Sequence, residues 1–382
     1  MSRKSKQINQ KPVVTPIYQS STFIFPDTAS LVAYQRGQRK GYIYTREGNP
    51  TVEAVERTIS GLDGAESSLL FSSGMAAIST VCLTILRPGD EMISSFPVYG
   101  GTATLLESLL KGLKVKVRFF PADDVARLGR IISEKTRLVY LESPTNPNLR
   151  IIDLEAAVRV AGRARISTVI DSTFATPVNQ KPLKFGIDAV IHSATKYLGG
   201  HSDVIGGVLS GSERFICGVR ETRSYLGGCI DPHQAFLLER GLKTLDVRMR
   251  RHNSSAARIA SHLAGKKAVK KVYYPGLTSH PQHGLARSQM TGFGGIVSFD
   301  LGSERKAARF VDSLRVILNA ASLGSTESLI SVPVWSSHYG LKRAELARWG
   351  IAPGLIRLSV GLEDEEVLIK DIDRALRRAA AD

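Results

Sequence analysis

Along the middle of the chain, short apolar runs alternate with stretches whose apolar residues recur at helical spacing. The pattern predicts strands at Ser67 to Phe71, Glu91 to Ser95, Lys114 to Phe119 and Arg137 to Glu142. Further strands are predicted at Ile166 to Asp171, Ala189 to Ser193 and Val204 to Leu209. Helical spacing predicts helices over Gly74 to Leu86, near Thr102 to Leu110, and over Leu154 to Ala161. Strand-helix alternation of this kind argues for an α/β fold, a mostly parallel sheet covered by helices on both faces. A long helical stretch, Pro232 to Arg250, then leads to a second region. That region has strands near Val272 to Tyr274, Gly295 to Phe299 and Ile356 to Val360, and a last helix over Glu365 to Ala379. The first 48 residues are rich in Pro, Ser, Thr and Gln with little periodicity, and are expected to form an extended arm. The resulting division is an arm at 1–48, a large domain at 49–247 and a smaller α/β domain at 248–382.

Composition narrows the class. The chain has 382 residues, of which 43% are hydrophobic, too many for a disordered protein. A core of this size needs no disulfide or metal to hold it. The three cysteines, Cys82, Cys217 and Cys229, are widely spaced and odd in number, which argues against a disulfide framework and fits a reducing, cytoplasmic setting. No run of 18 apolar residues is present, so no membrane helix is expected. Met1 to Gln10 is basic and polar with no apolar run after it, which favours a short basic arm over a leader peptide. The net charge of +16 invites a nucleic-acid reading. The densest basic clusters, Arg248 to Arg251 and Lys266 to Lys271, hold few aromatics for stacking and carry no binding signature. They read as a solvated basic face, congenial to acidic metabolites or a phosphate cofactor, and no nucleic-acid partner is expected.

The usual nucleotide, metal and serine-hydrolase motifs are missing. What remains is a lysine, Lys196, in His192-Ser-Ala-Thr-Lys-Tyr-Leu-Gly-Gly-His201 just after a predicted strand. A lysine in such a place has a depressed pKa and can form Schiff bases. Ser193 and Thr195 beside it are suited to a phosphate. Asp171 ends the strand before, where ligands bind in open α/β sheets. Ser72-Ser73-Gly74-Met75 joins a strand to a helix and offers backbone N–H groups to an anion. Each element alone has a plain explanation: a loop lysine, a cap, a helix start. Together they describe a pyridoxal phosphate site, the lysine on the aldehyde and the aspartate on the ring nitrogen.

At this point the chain resembles the Cys/Met-metabolism family of pyridoxal phosphate enzymes, which includes cystathionine γ-synthase, cystathionine γ-lyase and methionine γ-lyase. The motifs run from Thr15-Pro-Ile-Tyr18 to Arg357-Leu-Ser-Val-Gly-Leu-Glu-Asp364. Between them lie Tyr44-Thr-Arg-Glu-Gly-Asn-Pro-Thr51, Ser73-Gly-Met75, Tyr99-Gly-Gly-Thr102, Glu142-Ser-Pro-Thr-Asn-Pro147, Asp171-Ser-Thr-Phe174, the Lys196 segment and Ser322-Leu-Gly-Ser-Thr-Glu-Ser-Leu329. The resemblance implies fold-type I architecture and roles position by position. Lys196 would hold pyridoxal 5'-phosphate and Asp171 its ring nitrogen. Gly74, Met75, Ser193 and Thr195 would hold the phosphate, and Tyr44 and Arg46 would reach the phosphate of a neighbouring subunit. Tyr99 would stack on the ring and exchange protons with the substrate, and Asn146 would sit near the ring hydroxyl and the substrate. Arg357, helped by Ser322, would clamp the substrate carboxylate. The implied assembly is a homo-oligomer with shared sites, a tetramer built as a dimer of dimers, acting on a small amino acid.

Several positions depart from individual members. Thr102-Ala-Thr-Leu105 lacks the arginine that cystathionine enzymes commonly carry after Tyr-Gly-Gly. Ala321 stands where a glutamate often precedes Ser-Leu-Gly, and Gly101 where methionine γ-lyases carry cysteine. Glu47 follows the Tyr-Thr-Arg motif, and Ser172 stands where asparagine is frequent. The expected reaction is γ-elimination or γ-replacement on sulfur amino acids or activated homoserine, as in trans-sulfuration by cystathionine γ-synthase or γ-lyase. Methionine γ-lyase and O-acetylhomoserine sulfhydrylase are the alternatives. A catalytically inactive scaffold or nucleic-acid-binding protein on the same fold is the alternative from another class, and Lys196, Asp171 and Arg357 argue against it.

Overall fold

The computed structural model describes residues 10–380. Seven strands form the larger sheet: β1 Ser67–Phe71, β2 Glu91–Phe96, β3 Lys116–Pro121, β4 Thr136–Glu142, β5 Ser167–Asp171, β6 Ala189–Ser193 and β7 Gly207–Gly211. Their order is β1-β7-β6-β5-β4-β2-β3. The run β3-β2-β4-β5-β6 is parallel throughout, as the alternating pattern predicts. β7 departs from it and runs antiparallel to both β6 and β1. It returns from β6 through a loop rather than a crossover helix, so it re-enters the sheet head-to-tail.

Local chemistry explains the helices beside this sheet. Pro50–Asp63 starts where the Asn49 side chain accepts the Thr51 N–H, and ends at Gly64, whose φ of 71° suits glycine. Its inward residues Val52, Val55 and Ile59 recur at helical spacing and pack with Leu70, Val208 and Leu238. Gly74–Ile85 is capped by Ser73, whose Oγ accepts the Ala76 N–H at 3.0 Å. Its residues Ala77, Ile78 and Val81 lie against Leu69, Phe71, Ile191 and Leu209. Burying each such aliphatic side chain contributes about 1.5–3 kcal/mol.

The expected helix over Pro232 to Arg250 is two helices, Pro232–Leu242 and Leu245–Ala264. Arg248 explains the break. It is buried, and its guanidinium donates to the carbonyls of Gly241 and Tyr197 at 2.7 Å each. A straight helix would leave no exposed Gly241 carbonyl for it to reach. Arg248 is therefore a structural residue that fixes the turn after Lys196, not part of a solvated basic face. Burial pushes its pKa down to about 10. Its neighbours are paired at the surface, Arg250 with Asp246 and Arg251 with Glu365.

Leu245–Ala264 carries the chain between the two sheets, and residues 247 and 248 lie inside it. Leu245 and Met249 pack with Tyr197, whereas Ala256, Ile259 and Leu263 pack over the second sheet. That sheet holds β8 Lys271–Tyr273, β9 Ile296–Asp300, β10 Leu318–Asn319, β11 Leu329–Ser331 and β12 Leu355–Ser359, in the order β10-β11-β12-β9-β8. Only the β10/β11 pair is parallel. The region is thus an antiparallel sheet with helices, not a second run of parallel alternation. The amphipathic last helix, Glu365–Ala380, buries Leu368, Ile372, Ala375 and Leu376 there.

The N-terminal arm is largely irregular but contains a helix, Thr28–Gln35, that periodicity does not reveal. Asp27 starts it by accepting the Ser30 N–H. Val13 and Ile24 on this arm are almost fully exposed. Among the described residues no helix is long and apolar enough to cross a membrane.

Candidate active site

The parallel strands β2, β4, β5 and β6 all end on one edge of the larger sheet, and the site is built there. Glu142 ends β4 directly beside Asp171 at the end of β5, and Asp171 in turn pairs with Ile191 of β6. The second sheet faces this edge and contributes Arg357 from β12 and Ser322 from the loop between β10 and β11. Between the two lies a cleft of about 560 Å³. Gly74, Met75, Tyr99, Asn146, Asp171, Ser193, Thr195, Lys196, Ser322 and Arg357 all line it, so ten expected residues separated by up to 283 positions meet in one place.

Lys196 Nζ donates to Ser322 Oγ at 2.7 Å. Burial, then the nearby Arg357 charge, pushes its pKa down to about 8. Arg357 donates from Nη1 to Asn146 Oδ1 and from Nη2 to the Ser322 carbonyl, at 3.1 Å each. It is 5% exposed, and burial lowers its pKa to about 10. Its Nε–H is buried without a partner, an N–H left over for something else in the cleft.

Asp171 accepts the Thr173 N–H at 2.9 Å, and burial raises its pKa despite that bond. A buried carboxyl on a cleft wall is stabilised by a cation placed before it. Behind it, on β6, His192 Nε2 lies 3.0 Å from Asp63 Oδ1, both side chains buried.

Gly74–Ile85 points its N-terminus into the cleft. Ser73 Oγ takes the Ala76 N–H and the Ser73 carbonyl takes the Ala77 N–H, so the first two amides, Gly74 and Met75, have no acceptor within the helix. Gly74 is closely packed: a Cβ there would fall 3.0 Å from Ser193 Cβ. Twelve residues of helix behind these amides favour an anion in front of them. The Ser193 N–H donates to Thr173 Oγ1 at 2.8 Å. The Thr195 hydroxyl donates to the Gly206 carbonyl at 3.2 Å and accepts the Gly206 N–H at 3.1 Å, so it also ties the lysine turn to the strand that follows.

Tyr99 is 43% exposed at the mouth, just before the Gly100–Thr104 helix. The expected helix near Thr102 to Leu110 is present but turns π-helical over Leu105–Leu110. Gly100 permits a close approach, because a Cβ there would lie 1.7 Å from the Ser337 carbonyl oxygen. Tyr44 and Arg46 do not line the cleft of their own chain. The Arg46 guanidinium stacks 4.8 Å over the Tyr44 ring on the arm, and Tyr44 pairs with Thr22.

Glu142, Thr173, Ser336 and Ser337 also line the cleft and carry no role in the sequence reading. Glu142 had a usable signal, since it is an acid at the end of a predicted strand, as Asp171 is. Ser336 and Ser337 had none, because only the packing of the second sheet brings them to Gly100.

The residues present fit pyridoxal 5'-phosphate: an amine of lowered pKa, a buried carboxyl and a helix start with free amides share one wall. The model of the Cys/Met metabolism PLP-dependent enzymes matches residues 1–377. Cystathionine gamma-synthase 1, chloroplastic, of Arabidopsis thaliana is 40% identical over 376 residues, covering 98% of this chain and 67% of that one. Cystathionine gamma-lyase of Bacillus subtilis is 42% identical over 365 residues, covering 95% and 94%. Among solved structures, cystathionine gamma-lyase from Lactobacillus plantarum superposes with a TM-score of 0.91 at 39% identity, covering 96% and 94%. Fold, cleft and sequence thus agree, and the chain belongs to the Cys/Met metabolism family of PLP-dependent enzymes.

Proposed function

We propose that this chain catalyses γ-elimination or γ-replacement on a sulfur amino acid or an activated homoserine. The observation that carries it is Lys196, an amine with a pKa near 8 held in one cleft with Asp171 and Arg357. Pyridoxal 5'-phosphate supplies an electron sink for the bonds at the substrate α carbon. Lys196 would hold it, Asp171 would face its ring nitrogen, and the Gly74 and Met75 amides with Ser193 and Thr195 would face its phosphate. Arg357 orients the substrate carboxylate by its fork, supported by Ser322 and Asn146. The neutral Lys196 amine, near the α carbon, accepts the α-proton and returns it at the next carbon. Tyr99 at the mouth would face the cofactor ring and is the residue placed to donate a proton to the leaving group. Tyr44 and Arg46 act in the site of a neighbouring subunit, which makes the active form at least a dimer and the full assembly a dimer of dimers.

One feature of the lining favours a substrate with a neutral distal end. Among the described residues the only cations lining the cleft are Lys196 and Arg357, and both already have work. The lining also holds the apolar Ile78, Phe174, Ile205, Ala321 and Leu323, together with the neutral Ser336 and Ser337. This supports methionine, homocysteine or O-acetylhomoserine alongside cystathionine, and leaves the synthase, lyase and sulfhydrylase reactions within reach of one site. The test is an amino-acid panel assayed for 2-oxobutanoate, pyruvate and released thiol, with borohydride reduction and peptide mapping of the cofactor-loaded protein. The expected result is 2-oxobutanoate or a new thioether, with label on Lys196. No carbonyl product and no label on Lys196 would refute the proposal.

A further inference from the structure

Among the described residues Glu142 is the one carboxylate lining the cleft with no assigned task, and its two oxygens are both occupied. Oε2 accepts the Tyr99 N–H and Oε1 accepts the Asn146 N–H, each at 2.8 Å. Those amides belong to the loops that follow β2 and β4. Each sits where its loop leaves the strand, without a ladder partner to hold it. Asn146 in turn holds Arg357 Nη1 at 3.1 Å. Glu142 is itself fixed, since its own N–H donates to Ser95 Oγ at 3.1 Å and it is 5% exposed.

We propose that Glu142 is a positioning residue: one carboxylate sets Tyr99 on one side of the cleft and, through Asn146, Arg357 on the other. A buried acid beside a second buried acid, Asp171, is a costly arrangement: burial and then the Asp171 charge push Glu142 toward the protonated state, and burial does the same to Asp171. Two short backbone bonds offset that cost only because they are made to a carboxylate of this length at this site. An aspartate would be one methylene too short to span both amides. A glutamine offers one acceptor and turns an NH₂ toward the other amide.

The inference rests on the reading of the cleft as an amino-acid site for its kinetic consequence, but not for the tether itself. The experiment therefore has two arms on the full-length, cofactor-loaded protein. In the first, hydrogen exchange is followed at the Tyr99 and Asn146 amides. Both should be protected in the unaltered chain. Glu142→Ala should release both, and Glu142→Gln one of them, by about tenfold or more, while the Ser193 amide held by Thr173 is unchanged. In the second arm, Glu142→Gln should lower kcat through Tyr99 and raise KM through Arg357. The combined loss in kcat/KM should be about 10²-fold, with the affinity of the apoprotein for pyridoxal 5'-phosphate within about threefold. Free exchange of both amides in the unaltered chain would overturn the proposal, and that reading needs no variant to fold. Kinetic constants of Glu142→Gln within twofold of the parent, or a loss of turnover that only follows loss of cofactor, would overturn it equally. If the unaltered chain turned over no amino acid, the proposed function would fall, and the exchange arm would still decide the tether.

Discussion

The Lys196 amine and the Ser322 hydroxyl stand 2.7 Å apart across 126 residues of chain, joining the two sheets at the site. Ser322 reaches this place with a φ of 94°, a left-handed conformation that a non-glycine residue adopts at a cost of about 1–3 kcal/mol. Its carbonyl meanwhile accepts from Arg357. Strain, lysine and arginine are thus joined in one residue. Replacing it separates these effects. Ser322→Gly removes hydroxyl and strain together, whereas Ser322→Ala removes only the hydroxyl. Denaturant unfolding of the two apoproteins should show the glycine variant more stable by about 1 kcal/mol, with both variants impaired in turnover. Equal stability would mean that the backbone is not strained there.

The pKa of Lys196 near 8 has a pH signature. The free amine is the reactive form, so uptake of pyridoxal 5'-phosphate by the apoprotein should be slow at low pH, rise through about 8 and then level off. An unperturbed lysine would keep rising toward 10.5. Folding is linked to the same proton. Between about 8 and 10.5 the unfolded chain holds a proton that the folded chain has lost, so apoprotein stability should increase with pH across that window. Lys196→Met should abolish the increase. A midpoint above pH 10 would count against the buried lysine.

A shared site makes a quantitative prediction about subunit mixing. Arg46→Ala and Lys196→Ala should each be inactive alone. If Arg46 serves a neighbour's site, half of randomly reassorted dimers are mixed, and each mixed dimer has one intact site. Equal mixing should then restore about one quarter of the parental activity. No recovery despite demonstrated subunit exchange would remove Arg46 from the site.

Among the described residues Lys196 and Arg357 are the only cations lining the cleft, and neither is left to reward a second carboxylate on the substrate. Cystathionine and O-succinylhomoserine should not exceed homocysteine or O-acetylhomoserine in kcat/KM by more than about 10³-fold, or ~4 kcal/mol. A larger preference, measured by the same product assay, would place a distal receptor elsewhere, and Glu47 on the arm would not be its neighbour.

Gly100 offers a test of how the two sheets meet. Any side chain there collides with the Ser337 carbonyl, 1.7 Å from where Cβ would stand. Because the obstacle is backbone, a rotamer change cannot relieve it. Gly100→Ala should destabilise the protein by about 1–3 kcal/mol and displace Tyr99, so kcat should fall more than cofactor affinity. Gly112, with open space around its Cβ position, is the control, and Gly112→Ala should leave both unchanged.

Much of this protein was readable from local sequence because the responsible forces act locally. Apolar runs of five to seven residues mark β1 to β6, and Asn49 and Ser73 cap the helices that follow by accepting amides two and three residues on. Asp171 and Lys196 could be placed at strand ends for the same reason. Other features depend on groups brought together from far along the chain, and periodicity carries no trace of them. The seat of β7 between β6 and β1 depends on a partner, β1, more than a hundred residues earlier. The break before Leu245 and the burial of Arg248 go together with the bonds its guanidinium makes to the Tyr197 and Gly241 carbonyls, which no local pattern encodes. Only the packing of the second sheet seats Ser337 on Gly100 and Ser322 against Lys196. Glu142 shows the boundary between the two. Its place at a strand end is a local matter, but its task is decided by two amides whose loops converge on it only in the folded chain.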